Sequence, residues 1–83
     1  MKFKITITNS FSSNTYIVQA DTLDELKTAF LKRFGNIYNC SNKSFMEKPL
    51  VKKLTYSANS IKEWMDLIRY ETDRWDLEII LIN

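Results

Sequence analysis

The sequence predicts an α+β protein: a two-layer sandwich with a four-stranded mixed sheet and two helices packed on one face, in the order β-β-α-β-α-β. Three observations lead to this prediction. Apolar and polar residues alternate in segments at both ends of the chain. Two further segments combine helical spacing of apolar residues with capping residues in front of them. Three of the four predicted strands are polar on their second face, as in a sheet that is covered on one side only.

The first two strands are predicted from their alternation. The chain begins with KFKITIT, in which Phe3, Ile5 and Ile7 fall on one face and lysines and threonines on the other. Turn-forming residues follow, NSFSSN, and then a second alternating segment, TYIVQA (15–20). A short polar connection of this kind predicts that the two strands form a hairpin.

The first helix is predicted in the segment DTLDELKTAFLKRFG. Thr22 and Glu25 have the spacing of a capping box, in which the two residues satisfy each other's unpaired backbone donors. The predicted buried stripe consists of Leu23, Leu26, Phe30 and Phe34. Gly35 is predicted to end the helix, because glycine tolerates the left-handed conformation of a C-cap.

The second half of the chain predicts a strand, a helix and a strand. The segment LVKKLTYS (50–57) alternates loosely and is interpreted as the third strand. The second helix is predicted over residues 57–74, where Ser60 and Glu63 have the spacing of another capping box. The last strand is WDLEIILI (75–82). Its end is apolar on both faces, which predicts a central or covered strand.

One face of the predicted sheet lies opposite the helices. It is expected to carry Lys2, Lys4, Thr6, Ile17, Val51, Lys53, Asp76, Glu78, Ile80 and Ile82. The apolar members would form an exposed patch, and larger exposed patches mark contact surfaces. The alternative is that the loop after the first helix, or the C-terminus, covers this face.

The segment 36–49 has no periodicity and predicts a long irregular loop. Loops of this length in compact domains are usually functional or disordered. Tyr38, Phe45 and Met46 would anchor in a partner's pocket, or they would fold back over the protein's own core. Cys40 has no basic neighbour in the sequence, and the chain has no histidine. It is therefore interpreted as a buried or incidental thiol.

Lysines on and after this loop indicate a second kind of surface. Together with aromatic side chains they would bind a phosphate backbone or single-stranded nucleic acid. The members of this lysine-aromatic surface would be Lys43, Lys48, Lys52 and Lys53, with Lys2 and Lys4 across the sheet and Phe45 and Tyr56 interleaved. The alternative is that scattered lysines keep the protein soluble and protect strand edges.

The composition excludes most catalytic sites. The chain has no histidine, one cysteine and one glycine. This removes the commonest general base, the histidine-activated nucleophiles, the usual zinc sites and the glycine-rich phosphate loops. Ion pairs on a helix surface explain the acidic residues around Arg69 and Arg74 without an active site. The protein is therefore predicted to be no enzyme and to need no cofactor or metal.

Charge and hydropathy limit where in the cell the protein is expected and which kinds of partner it is expected to bind. Twelve basic and ten acidic residues give a net charge of +2, too balanced to indicate DNA binding by bulk electrostatics. The start of the chain lacks the apolar run of a signal peptide, and no segment approaches the roughly 18 apolar residues of a membrane span. One cysteine forms no internal disulfide. We expect one compact domain over residues 1–83, in the cytoplasm of a bacterial host cell.

In type, the chain resembles the small accessory proteins of bacteriophages and mobile elements. Those proteins are short, have one domain, are rich in lysine, asparagine and isoleucine, and carry no catalytic residues. Some of them, the anti-CRISPR proteins among them, inhibit host defence systems. The resemblance implies steric inhibition of a larger protein or nucleoprotein complex, and it assigns no role to any single position.

The leading hypothesis is a non-catalytic binding module that docks on a larger protein through the loop, the open sheet face or both. The candidate partner-binding residues are Tyr38, Lys43, Phe45, Lys48, Lys52 and Lys53. Two alternatives stay open. One is a direct nucleic-acid binder that uses the lysine-aromatic surface, and the other is a homodimeric structural protein that pairs its open faces or its strand edges.

Overall fold

The protein has an α+β fold with a three-stranded sheet. The computed structural model describes residues 1–38 and 48–83, apart from the side chains of residues 36–38. Its elements are β1 (Lys2–Thr8), β2 (Ser13–Gln19), α1 (Leu23–Tyr38), α2 (Lys48–Ser57), α3 (Ile61–Glu71) and β3 (Asp76–Leu81). The strands form an antiparallel sheet in the order β2-β1-β3. The predicted class is confirmed, whereas the mixed four-stranded sheet with two helices is wrong for the described residues.

The segment predicted as the third strand is the helix α2. Its buried residues are Val51, Leu54 and Thr55, and Ala58 just beyond the helix is buried as well. This spacing of three, four and seven residues places all four side chains on one side of a helix. Pro49 stands in the first turn, where its missing N–H is not needed for a helical hydrogen bond.

The helix α1 is longer than predicted. It continues through Gly35 to Tyr38, and Gly35 does not have a positive φ, so the predicted C-cap is wrong. A Cβ built on Gly35 would lie 3.3 Å from the Nζ of Lys48. The missing side chain therefore leaves room for the flexible end of the Lys48 side chain.

The segment 36–49, predicted as a loop, is helical at both of its ends. Its first three residues belong to α1 and its last two belong to α2, so the prediction is wrong at both ends. The remainder of the predicted loop, with Cys40 and Met46, lies outside the described residues.

The strand β1 is the centre of the sheet, and its alternation determines the two faces. Phe3, Ile5 and Ile7 are buried on the helix side, as predicted. Lys4 lies on the opposite side. The strand β3 was predicted to be central or covered, but it is an edge strand, and Ile80 on its second face is exposed.

An aromatic cluster holds the helices on the sheet. Phe30 and Phe34 of α1 are stacked with their ring centroids 5.2 Å apart. Trp64 of α3 meets Phe30 edge-on at 4.8 Å, and Trp75 before β3 meets Phe34 edge-on at 5.7 Å. Aromatic pairs of this geometry contribute about 0.5–1.5 kcal/mol each beyond the area that they bury. The cluster therefore joins α1, α3 and the start of β3 into one core.

Both predicted capping boxes are present, with one difference. The backbone N–H of Glu25 donates to the Oγ1 of Thr22 at 3.1 Å. In the other direction, the Oε2 of Glu25 accepts from the backbone N–H of Asp21 at 2.9 Å, one residue further out than predicted. The same two bonds precede α3, at Ser60 and Glu63. Each box satisfies backbone donors that the first turn of a helix leaves unpaired.

Two buried polar groups tie the helices together. The indole N–H of Trp64 donates to the Oγ1 of Thr55 at 2.9 Å, which connects α3 to α2. The buried Lys27 of α1 donates from its Nζ to the backbone oxygen of Ala58, just after α2 ends. The partial negative charge at a helix C-terminus favours a cation at this place.

Replacing Thr55 tests the bond to Trp64. Thr55→Val keeps the shape of the side chain but removes the acceptor, so the indole N–H stays buried without a partner. We expect the free energy of unfolding, measured in urea, to fall by about 1–3 kcal/mol. Thr55→Ser is the matched control because it keeps the hydroxyl. A loss from Thr55→Val no larger than the loss from Thr55→Ser would contradict the role of this bond.

Replacing Gly35 tests whether its conformation is that of an ordinary helix residue. Alanine is favoured over glycine inside a helix by roughly 0.5–1 kcal/mol. The nearest neighbour of the added Cβ is the flexible end of Lys48, which can move aside. We therefore expect Gly35→Ala to raise the free energy of unfolding by up to about 1 kcal/mol. A decrease in urea unfolding experiments would instead support a left-handed C-cap.

Candidate interaction surface on the open face and outer edge of the sheet

The face of the sheet opposite the helices is open, and we call it the open face. It carries Lys2, Lys4, Thr6 and Thr8 of β1, Ser13, Thr15, Ile17 and Gln19 of β2, and Asp76, Glu78 and Ile80 of β3. The predicted members on these three strands are confirmed. Val51 and Lys53 were predicted on this face too, and that prediction is wrong, because both belong to α2 and Val51 is buried.

One end of the open face is apolar around a lysine. Lys4 lies opposite Ile17 in β2 and opposite Ile80 in β3. Ile17 is 55% exposed and Ile80 is 43% exposed. Ile82, which is 45% exposed, continues the pairing, because its backbone N–H donates to the oxygen of Lys2 at 3.0 Å. Three exposed isoleucines on one sheet face form the kind of patch that marks a contact surface.

The other end of the open face is polar. The hydroxyl oxygens of Thr6 and Thr15 are 3.1 Å apart, and Glu78 lies on the other side of Thr6. Asp76 forms an ion pair of 2.6 Å with Arg69 of α3. The hydrogen bond to Asp76 raises the pKa of the Arg69 guanidinium. The open face therefore changes from apolar and basic at one end to hydroxylated and acidic at the other.

The area of the open face limits what it can bind alone. Three strands about 4.8 Å apart, advancing about 3.4 Å per residue, form a face of roughly 300 Å². A standard protein interface buries about 800 Å² on each partner. A stable partner must therefore contact neighbouring elements as well. Phe11, which is 89% exposed in the connection between β1 and β2, is one available neighbour.

The hydrogen-bond pattern shows which backbone groups of β2 point away from the sheet. The N–H of Ala20 donates to the oxygen of Met1 at 3.0 Å. In an antiparallel pair the bonded residues alternate, so every second residue of β2 turns its N–H and C=O outward. These residues are Ser13, Thr15, Ile17 and Gln19. Their backbone groups form no hydrogen bond to another described residue.

The outer edge of β3 is different, because α3 covers part of it. The bond from Ile82 to Lys2 shows that Leu77, Ile79 and Leu81 turn their backbone groups outward. The N–H of Ile79 donates to the Sδ of Met65 in α3 at 3.2 Å. An approaching strand would have to displace this contact, so β2 has the more accessible edge.

A groove lies between the outer edge of β2 and the helix α1, and we call it the β2–α1 groove. Its lining consists of Tyr16, Ile17, Val18, Gln19, Ala29, Lys32 and Arg33. Both cations come from α1, and no acidic residue is among this described lining. The guanidinium carbon of Arg33 lies 5.6 Å from the ring centroid of Tyr16, within the range of a cation–π contact.

Tyr16 in this groove has a buried hydroxyl that finds no hydrogen-bond partner among the described residues. Burial raises the pKa of the phenol above its ordinary value, and the charge of Arg33 lowers it by a smaller amount. A buried donor without a partner costs about 1–3 kcal/mol, so groups of this kind in native proteins require an explanation.

The candidate residues predicted from the sequence are distributed over several places. Lys48, Lys52 and Lys53 lie on α2, where Lys48 is half-buried beside Gly35 and the other two are exposed. Lys43, Phe45 and the side chain of Tyr38 lie outside the described residues. Lys2 and Lys4 lie on the open face, on the side of the sheet away from the helices. The described lysines therefore do not form one continuous surface.

The β2–α1 groove was missed in the sequence because no sequence pattern shows how closely α1 lies beside the outer edge of β2. The closest sequence signal is the pair of consecutive cations Lys32 and Arg33 near the predicted end of the first helix. The position of these two cations beside β2 depends on how α1 packs on the sheet.

Two kinds of site are absent from the part of the chain that the structure describes. It contains no group of three or more cysteine, aspartate or glutamate side chains that could hold a metal ion. None of its helices has the length and hydropathy needed to cross a membrane.

Comparisons of the chain with protein-family models, with curated proteins and with solved structures found no significant match.

Replacing Tyr16 tests whether its hydroxyl is unpaired. Tyr16→Phe removes a buried polar atom and keeps the ring over which Arg33 lies. We expect the free energy of unfolding in urea to stay the same or to rise by about 1 kcal/mol. Tyr70→Phe is the matched control, because Tyr70 is 89% exposed and should show no change. A fall of more than about 1 kcal/mol for Tyr16→Phe alone would mean that the hydroxyl has a partner in solution.

Proposed function

We propose that this protein is a non-catalytic binding module that docks on a larger protein through its open face. The observation that carries the proposal is the exposed patch of Ile17, Ile80 and Ile82, on a side of the sheet where no described helix packs. Burying apolar surface of this kind is the main source of affinity in protein interfaces.

The charged residues of the open face would orient the partner. Lys2 and Lys4 stand at one end, and Glu78 and Asp76 stand at the other. Charges at the border of an interface contribute to specificity and association rate more than to affinity. A partner with the opposite polarity would bind in one direction, while the isoleucines beside the lysines supply the binding energy.

The biological consequence of such docking would be steric. A small domain without catalytic residues changes the activity of a larger protein by occupying the surface that a substrate or another subunit needs. The proposed role is that of an accessory protein or inhibitor in a bacterial cell, of the type that blocks a host defence complex.

A second candidate function is direct binding of nucleic acid, and one observation favours it. Lys52, Lys53 and Tyr56 are all exposed on α2, and Lys52 and Tyr56 are four residues apart, so they share one helix face. Cations beside an exposed ring can bind a phosphate and stack on a base. We rank this function second, because Lys2 and Lys4 lie on the other side of the sheet.

A homodimer that pairs its open faces is the third candidate. The roughly 300 Å² of the face is well below what each partner contributes to a standard interface. Face-to-face pairing alone would therefore give a weak dimer.

The open-face proposal is tested by replacing two of its isoleucines. Ile17→Thr and Ile80→Thr keep β-branched side chains and so preserve the strands, but they remove apolar surface. We expect the double variant to retain about one tenth or less of a nuclease-resistant protein partner captured from bacterial lysate. The measurement compares the amount of captured partner between variants of equal thermal stability.

Leu81→Thr is the matched control, because Leu81 is also exposed on β3 but lies on the other side of the sheet, opposite Phe3. It should leave the captured amount unchanged. Equal capture by all three proteins would contradict docking through the open face. Capture that nuclease abolishes would favour the nucleic-acid function instead.

A further inference from the structure

We propose that the β2–α1 groove is a second binding site, which takes an extended acidic peptide that pairs with β2 as a fourth strand of the sheet. The site differs from the open face in location and in chemistry. It uses the backbone of β2 and two cations of α1, whereas the open face uses the side chains of Ile17 in β2, Ile80 in β3 and Ile82 just after β3.

The outer edge of β2 has the backbone hydrogen-bonding groups that strand addition requires. Ser13, Thr15, Ile17 and Gln19 turn their N–H and C=O groups outward, and these groups bind no other described residue. An extended peptide that pairs with such an edge gains main-chain hydrogen bonds that do not depend on its sequence. Specificity then comes from alternate side chains of the peptide, which lie on one face or the other of the extended sheet.

The charge of the groove selects the peptide. Every second side chain of an added strand would point to the helix side of the sheet, beside Lys32 and Arg33 of α1. No acidic residue lines this groove among the described residues. The contact of Arg33 with the ring of Tyr16 favours a position of the guanidinium at the groove, where it can form paired hydrogen bonds with a carboxylate. The peptide should therefore carry aspartate or glutamate at alternate positions.

The remaining side chains of the peptide would lie on the other face of the sheet, the face that carries Ile17. These positions continue the open face, so threonine, valine or isoleucine would suit them as neighbours of an exposed apolar strand residue. The expected ligand is thus an extended segment in which acidic and β-branched residues alternate.

A second copy of this protein is a poor occupant of the same edge. Pairing of β2 with β2 would bring Lys32 and Arg33 of both copies to one junction. The groove-lining residues offer no carboxylate to compensate these four cations. Charge complementarity therefore favours a foreign acidic segment over self-association.

The proposal is tested with a synthetic peptide. The probe is an eight-residue fluorescein-labelled peptide in which glutamate alternates with threonine, and the control probe has lysine in place of glutamate. Fluorescence anisotropy at low salt measures binding to the full chain. We expect the acidic peptide to bind at least about tenfold more tightly than the basic one, and its affinity to fall with added salt.

Charge reversal locates the site. The double variant Lys32→Glu with Arg33→Glu should lose about tenfold or more in affinity for the acidic peptide. The matched control is Lys52→Glu with Lys53→Glu, which changes the net charge equally but lies on α2, outside the groove lining. It should change the affinity by less than about threefold. Lys32→Gln with Arg33→Gln gives a milder change if the reversed variant does not fold.

Backbone methylation tests strand pairing. Only every second N–H of an added strand donates to β2, so N-methylation at one set of alternate residues should abolish binding. Methylation at the other set should leave most of it. Equal effects of the two sets would overturn strand addition and leave only charge attraction.

Three further outcomes would overturn the proposal: no binding of the acidic peptide up to about 1 mM, equal binding of the basic peptide, or equal losses in the two charge-reversed variants. Ile80→Thr separates this site from the proposed function. Because Ile80 lies on β3, two strands away from the groove, this change should leave peptide affinity unaltered. If the acidic peptide does not bind but partner capture still depends on the isoleucines, the groove proposal is rejected and the open-face proposal is not.

Discussion

The alternation of β1 is the constraint on which the rest of the structure depends. This strand pairs on both sides, so the direction of its side chains sets the direction of both neighbouring strands. Phe3, Ile5 and Ile7 must be buried, and the helices therefore pack on that face. A shift of one residue in the register would expose these three side chains and bury Lys4. The open face is thus a consequence of the same pattern that builds the core.

A core this small needs large side chains and specific buried hydrogen bonds. An 83-residue chain buries a modest share of its surface, so aromatic rings fill the space between helices and sheet efficiently. Rings alone would leave the arrangement of the helices poorly determined. The bond between Trp64 and Thr55 and the bond from Lys27 to the end of α2 each require one relative position of two helices. These buried polar contacts select one packing among several that hydrophobic burial would allow.

The parts of the structure that could be predicted are those with local causes. Alternation identified β1 and the open face, and capping residues identified the starts of α1 and α3. The helix α2 was missed because Val51 and Thr55 are β-branched and favour strands, while the deciding spacing includes Ala58 beyond the segment. At Gly35, the helix continues for three more residues although glycine often ends a helix. The β2–α1 groove could not be predicted, because it depends on the strand order, which leaves β2 at an edge, and on how α1 packs beside that edge.

The cations of α1 explain how an accessible strand edge can remain specific. Proteins commonly protect edges with lysine, proline or a covering element, and Met65 of α3 serves that purpose at β3. The strand β2 has the sequence SNTYIVQ, with no charged residue and no proline, so its own side chains give no such protection. Lys32 and Arg33 lie beside this edge instead. A second copy would bring like charges together, whereas an acidic segment would neutralise them. In the proposed complex, the same two side chains would therefore oppose self-association and favour an acidic partner.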